Sequence, residues 1–182
     1  AQTQFMETES GRIAFDDTGG AGPVVIGIPG MGDLRSEYRL VKPMLQHAGF
    51  RVVTLDVRGF GESSPEWPDY SARAVGRDAV AILRQLAAGP AVIMGNSFAA
   101  GSALWAARES PGLVNGVVLL GPIVRDLPLK TIQKLVLGRV IDQAFEEIEA
   151  DAAYPAFMQG GKVRVGNRRI HHRDAARFAV GF

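Results

Sequence analysis

Short apolar runs alternate with stretches of helical periodicity through the first two thirds of the chain, and this alternation narrows the fold more than any other feature. Residues 24–28, 51–57, 91–94 and 114–120 are short segments dominated by Val, Ile and Leu. Runs that are apolar at successive positions suit strands buried on both faces. Between them, residues 36–48 set Leu40, Val41, Met44, Leu45 and Ala48 at helical spacing. Pro43 is expected to kink or delay that helix, and Gly49 to stop it. Residues 71–87 place Ala72, Val75, Ala79, Ile82, Leu83 and Leu86 on one face, and residues 98–109 form a third helix closed by Pro111. At the start, residues 4–9 and 12–17 read as a hairpin around Ser10-Gly11. The pattern predicts an α/β fold: a mostly parallel sheet with helices on both faces.

Beyond Pro122 the rhythm fails. Leu129, Ile132, Leu135, Val136, Val140, Ile141, Ala144, Phe145 and Ile148 form one helical stripe, after which the chain turns Gly-, Arg- and Ala-rich. Only residues 163–165 hint at a strand there. The expected organisation is a core at 1–127, a helical cap-like segment at 128–150 and a basic tail at 151–182. That tail carries Lys162, Arg164, Arg168, Arg169, Arg173 and Arg177 against Asp151 and Asp174, whereas the whole chain has a net charge of only +1. A near-neutral chain of 182 residues offers no global field for nucleic acid or an anionic membrane. No apolar run approaches the length of a membrane span. There is no cysteine, which removes disulfides, thiolate catalysis and Cys-ligated metals. With no signal peptide visible at the start, the expected location is cytoplasmic.

The chemistry concentrates at Gly95-Asn96-Ser97-Phe98-Ala99, between a short apolar strand and a helix of small residues. A serine on a sharp strand-to-helix turn has its hydroxyl pushed out above the sheet. It also sits where free amide hydrogens and the positive end of the helix dipole favour a developing oxyanion. The same serine reads equally as a helix cap on an ordinary crossover.

Two further segments add weight: Ile28-Pro29-Gly30-Met31-Gly32 after one strand, and Asp56-Val57-Arg58-Gly59-Phe60-Gly61-Glu62-Ser63 after the next. Taken in order with the elbow, they resemble the oxyanion loop and the D-x-R-G-x-G-x-S loop of serine hydrolases of the α/β-hydrolase fold, over roughly residues 4–124. The resemblance implies an esterase-like enzyme acting on small acyl esters, with Ser97 as nucleophile and the backbone amides of Met31 and Phe98 as the oxyanion hole. Gly30 and Trp105 are the substrate-binding candidates, and Met31, Phe60, Phe98 and Trp105 an apolar acyl environment, although Trp105 fits a core position equally well. The loop around Arg58 and Gly59 is expected to brace the site. No metal and no organic cofactor is implied.

The chain departs from the family at Pro29, where many members have histidine, and at Ala99, where the elbow normally ends in glycine. The greater departure concerns the nucleophile's partners. His47 falls at the C-terminal end of a helix, at the wrong end of the sheet, leaving His171 and His172 as base candidates. Asp126 follows the strand at 114–120 and is the acid candidate. Each of the three also reads as a solvated polar residue. Full family members run well past this length, so the last core strands and a full cap are expected to be absent, as after truncation or a frameshift. An open edge at the 114–120 strand would then favour a homodimer. A different class of function, a catalytically weak or inactive binding protein on this fold, is favoured by the missing base. A nucleotide-binding crossover is a weaker reading, since neither glycine-rich turn completes a phosphate-binding pattern.

Overall fold

The computed structural model describes residues 2–122 and, as backbone, residues 162–165 and 168–171. The chain divides into two compact units, Ala1–Pro122 and Ile123–Phe182.

In the first unit β1 (Gln4–Thr8) and β2 (Gly11–Asp17) form the expected antiparallel hairpin. Then follow β3 (Val24–Ile28), α1 (Val41–His47), β4 (Arg51–Leu55), α2 (Ala72–Gln85), β5 (Ala91–Asn96), α3 (Ala99–Glu109) and β6 (Val114–Leu120). The six strands make one sheet in the order β1-β2-β4-β3-β5-β6. β2 runs antiparallel to β4, and the β4–β3, β3–β5 and β5–β6 pairs are parallel.

Both faces are covered because successive strand side chains point to opposite sides. Val24, Ile26 and Ile28 pack with Val75, Ala79, Ile82 and Leu83 of α2 and with Ala99, Ala103 and Ala106 of α3. Val25 faces the other way, with Tyr38, Met94 and, from α1, Leu45. The small residues of α3 let it lie close to its neighbours. A Cβ at Gly76 of α2 would come within 2.5 Å of the Ser102 carbonyl oxygen of α3.

The helix expected at 36–48 is divided. A 3-10 turn at Arg35–Arg39 comes first and α1 begins only at Val41. Pro43 therefore sits in the first turn of α1, where its missing N–H leaves no helical carbonyl unpartnered. The separate 3-10 turn aims Tyr38 into the sheet, where its ring would be 2.8 Å from a Cβ at Gly27. α1 stops as expected. Phe50 N–H donates to the Leu45 carbonyl at 3.0 Å and Gly49 N–H to that of Gln46 at 2.9 Å, with Gly49 at φ +88°.

α2 ends in the same motif, Ala88 N–H reaching the Leu83 carbonyl at 2.9 Å and Ala87 N–H that of Arg84 at 3.1 Å. Here the left-handed residue is Ala87, at φ +47°. A side chain in that region costs about 1–2 kcal/mol, of which glycine forfeits about 0.5–1 kcal/mol in unfolded-chain entropy. Ala87→Gly is therefore expected to stabilise the fold by about 0.5–1 kcal/mol, read as a higher urea midpoint at unchanged slope.

In the second unit β7 (Lys162–Val165) and β8 (Arg168–His171) pair antiparallel, Val163 opposite Ile170. The strand hinted at by residues 163–165 is thus present, with an arginine-rich partner that its composition did not announce. The stripe at 128–150 lies outside the described residues, as does most of the tail.

Candidate active site

The turn at Ser97 is a tightly constrained piece of backbone. β5 ends at Asn96, and α3 begins at Ala99. Ser97 lies between them at φ +53°, a left-handed conformation that side chains avoid. Its N–H donates to the Leu120 carbonyl at 2.8 Å, tying the turn to the end of β6. Gly95 makes the geometry possible, since a Cβ there would fall 2.2 Å from the Ala99 carbonyl oxygen. Ala99 is itself buried, which explains why only a small residue suits the place usually held by glycine. Phe98 is the N-cap of α3, and the helix's first amides turn back on the elbow, Ala100 N–H donating to the Ser97 carbonyl at 3.2 Å and Gly101 N–H to that of Phe98 at 3.1 Å.

The segment after β3 lies against this turn. A Cβ at Gly30 would stand 3.7 Å from the Ser97 Cβ and 3.2 Å from Asn96 Nδ2. The loop is a tight one, with Asp33 N–H donating to the Gly30 carbonyl at 3.1 Å and Gly32 at φ +84°. Met31 is left exposed between them. Gly30 N–H donates to Glu37 Oε2 at 2.7 Å, and Asn96 Nδ2 donates to Glu37 Oε1 at 2.6 Å. The neighbouring Tyr38 hydroxyl donates toward the carbonyls of Ile28 (2.8 Å) and Met94 (3.3 Å). Burial, and after it the Glu37 charge, pushes the Tyr38 hydroxyl well above its ordinary pKa, so it stays protonated as a donor.

Sequence reasoning missed Glu37 and Tyr38. Gly27, a glycine inside a buried strand, was the available signal for Tyr38, because such a glycine marks the close approach of another group. Glu37 gave no signal.

The Asp-Arg-Gly loop is tied to the 3-10 turn after β3, to β2 and to α2. Asp56 is buried and accepts from the amides of Arg35 (2.8 Å) and Glu62 (3.0 Å), and from the Arg35 guanidinium. Ser63 Oγ donates to the Asp56 carbonyl at 2.7 Å and accepts from Ala14 N–H at 2.9 Å. Arg58 grips Asp78 of α2 through Nε (2.6 Å) and Nη2 (2.9 Å) and lies 4.4 Å over the Trp67 ring. Burial raises the Asp78 carboxyl's pKa despite the opposing pull of Arg58. Gly61, at φ +56°, is needed because a Cβ there would sit 2.2 Å from Asp56 Oδ2.

The other candidates are distributed unevenly. His47 is exposed at the end of α1, before β4 begins and so at the opposite end of the sheet from Ser97. Of its two readings Trp105 takes the core one. It is 4% exposed, with the guanidinium groups of Arg73 and Arg108 at 5.0 and 4.9 Å from its ring. His171 is the last residue of β8, described as backbone only, and Asp126 and His172 lie outside the described residues. Among the described residues, no helix is long and apolar enough to cross a membrane.

Residues 23–160 match the family described as alpha/beta hydrolase fold. The chain belongs to that family. This α/β-hydrolase is 32% identical over 99 residues to the mouse sn-1-specific diacylglycerol lipase ABHD11, covering 54% of the chain and 32% of the lipase. It is 29% identical over 141 residues to 2-(acetamidomethylene)succinate hydrolase of Mesorhizobium japonicum, covering 75% and 49%. Among solved structures, a thermophilic esterase from Thermogutta terrifontis superposes with a TM-score of 0.65 at 25% identity, covering 88% of this chain and 57% of the esterase. The α/β-hydrolase described here spans half or less of the length of these two curated relatives.

Proposed function

We propose that this α/β-hydrolase is a serine hydrolase that cleaves small acyl esters through an acyl-enzyme on Ser97. The observation that carries the proposal is the left-handed Ser97 between β5 and α3, with Gly30 packed beside it. A strained serine at that turn has its hydroxyl presented above the sheet. In the proposed reaction Ser97 Oγ attacks the ester carbonyl carbon while a base takes its proton. The amides of Met31 and Phe98 hold the oxyanion. Collapse expels the alcohol, which receives the proton, and water then releases the acid. Exposed Met31 and Phe60 offer apolar surface to the acyl group. His171 or His172, in the tail at 151–182, serves as base, and Asp126, just before the cap-like segment at 128–150, serves as the acid that orients it. Pairing of two copies through the edge of β6, where Val118 and Leu120 are exposed, belongs to the same proposal; a monomer mass at micromolar concentration would refute it.

A second reading, a weakly active or inactive binding protein, is favoured by one observation. His47, the histidine whose side chain is described, lies at the far end of the sheet from Ser97. Kinetics with p-nitrophenyl acetate separate the two. An acyl-enzyme gives a burst of nitrophenolate equal to the enzyme concentration, followed by slower turnover. One of His171→Ala and His172→Ala is then expected to lower turnover nearly as far as Ser97→Ala does, since residues acting as a unit are not additive. Slow turnover without a burst, unchanged in both histidine variants, would favour the binding protein, because an oxyanion hole alone retains roughly a thousandfold over water.

A further inference from the structure

The Glu37 carboxylate joins the loop after β3 to the residue before Ser97. One of its oxygens accepts from Gly30 N–H and the other from Asn96 Nδ2. Both donors are neutral, and each uses a different oxygen. The 3-10 turn that carries Glu37 is anchored by the adjacent Tyr38, whose hydroxyl reaches carbonyls of both β3 and β5. Glu37 thus stands on a fixed support while it holds two partners on separate segments, at sequence separations of 7 and 59 residues.

We infer that Glu37 is a positioning residue that sets the spacing of the oxyanion hole, by clamping the Gly30–Met31 segment to the Asn96–Ser97 turn. The inference rests on the serine-hydrolase reading of Ser97. In that reading the hole is made of two amides, Met31 and Phe98, which belong to the two segments Glu37 joins. Donors in such a hole work at about 2.7–3.1 Å from the developing oxyanion, and a displacement near 1 Å costs roughly 100-fold in rate. A carboxylate suits the task because it offers an acceptor to each of two donors. A glutamine at the same place accepts from one and turns its own NH₂ toward the other.

That difference supplies the test. Wild type, Glu37→Gln, Asn96→Asp and the double variant are compared by the rate at which a fluorophosphonate labels Ser97, and by kcat and KM for p-nitrophenyl acetate. Thermal melts run in parallel. Glu37→Gln is expected to slow labelling and lower kcat by roughly 10- to 100-fold, with KM nearly unchanged. Asn96→Asp sets two carboxylates face to face and is expected to do the same. The double variant restores a matched pair: the introduced amide accepts from Gly30 N–H through its oxygen and donates its NH₂ to the introduced carboxylate. It should recover most of the lost rate. A purely structural Glu37 would move the melting temperature and leave the labelling rate alone, which overturns the inference but not the role of Ser97. Wild type that takes no label overturns both. If Glu37→Gln does not fold, Asn96→Ala removes one of the two bonds from the other side; labelling of that variant at the wild-type rate would also overturn the inference.

Discussion

Ser97→Gly is expected to give a protein that is more stable than the wild type and inactive. Under the proposed function the change removes the nucleophile and should lower turnover by roughly 10⁴- to 10⁶-fold, leaving only what the remaining site supplies. Stability should move the other way. Ser97 occupies φ +53°, and a side chain in that region costs about 1–2 kcal/mol. Glycine removes this strain but has more unfolded-chain freedom to lose, so the net gain is about 0.5–1 kcal/mol. Ser97→Ala isolates the effect, because alanine keeps the strain while removing the hydroxyl. Urea unfolding of both variants should therefore show the glycine form with the higher midpoint. Equal midpoints would mean that the turn carries no strain and that the conformation of Ser97 needs another explanation.

Gly95→Ala is expected to have the largest effect on folding. The added methyl would lie 2.2 Å from the Ala99 carbonyl oxygen, 2.6 Å from its carbon and 2.9 Å from the Ala100 nitrogen. These are backbone atoms in the first turn of α3, packed against β5, so none of them can swing aside as a side-chain end would. Overpacking of this kind costs about 3 kcal/mol or more, a large part of the margin of a small domain. Gly112 provides the control, since a Cβ there meets nothing within 4 Å. Gly112→Ala should stay within about 0.5 kcal/mol of wild type. A Gly95→Ala protein of wild-type midpoint would show that strand and helix are not held as close as the structure has them.

Much of the core was legible because its signals are local. β3 and β6 begin and end where the apolar runs at 24–28 and 114–120 do, since turn residues bound them and strand burial leaves no polar positions inside β3. The stop of α1 follows from Gly49, whereas the N-cap of α2 is a finding of the structure: Ser71 Oγ accepts from Ala74 N–H at 3.1 Å. The reading of 36–48 as one helix failed at Leu40. Helical spacing held on both sides, but the need to turn Tyr38 toward Gly27 breaks the path, and that is a tertiary demand.

The site divides in the same way. Ser97 and the glycines around it were legible because backbone crowding requires those residue types at fixed offsets. Glu37 was not, because a carboxylate on a short turn looks like any solvated surface residue until its partner 59 positions away is in view. Asp126, His171 and His172 carry no local signature at all, and the roles proposed for them rest on elimination and on the family's order of nucleophile, acid and base.

The measurement closest to the central claim is the mass of the intact protein after exposure to a fluorophosphonate, with Ser97→Ala treated alongside. An activated Ser97 predicts one adduct on the wild type, located at Ser97, and none on the variant. An unmodified wild type beside a fully labelled reference hydrolase would contradict it, and the elbow would then be a feature of the fold without a nucleophile's chemistry.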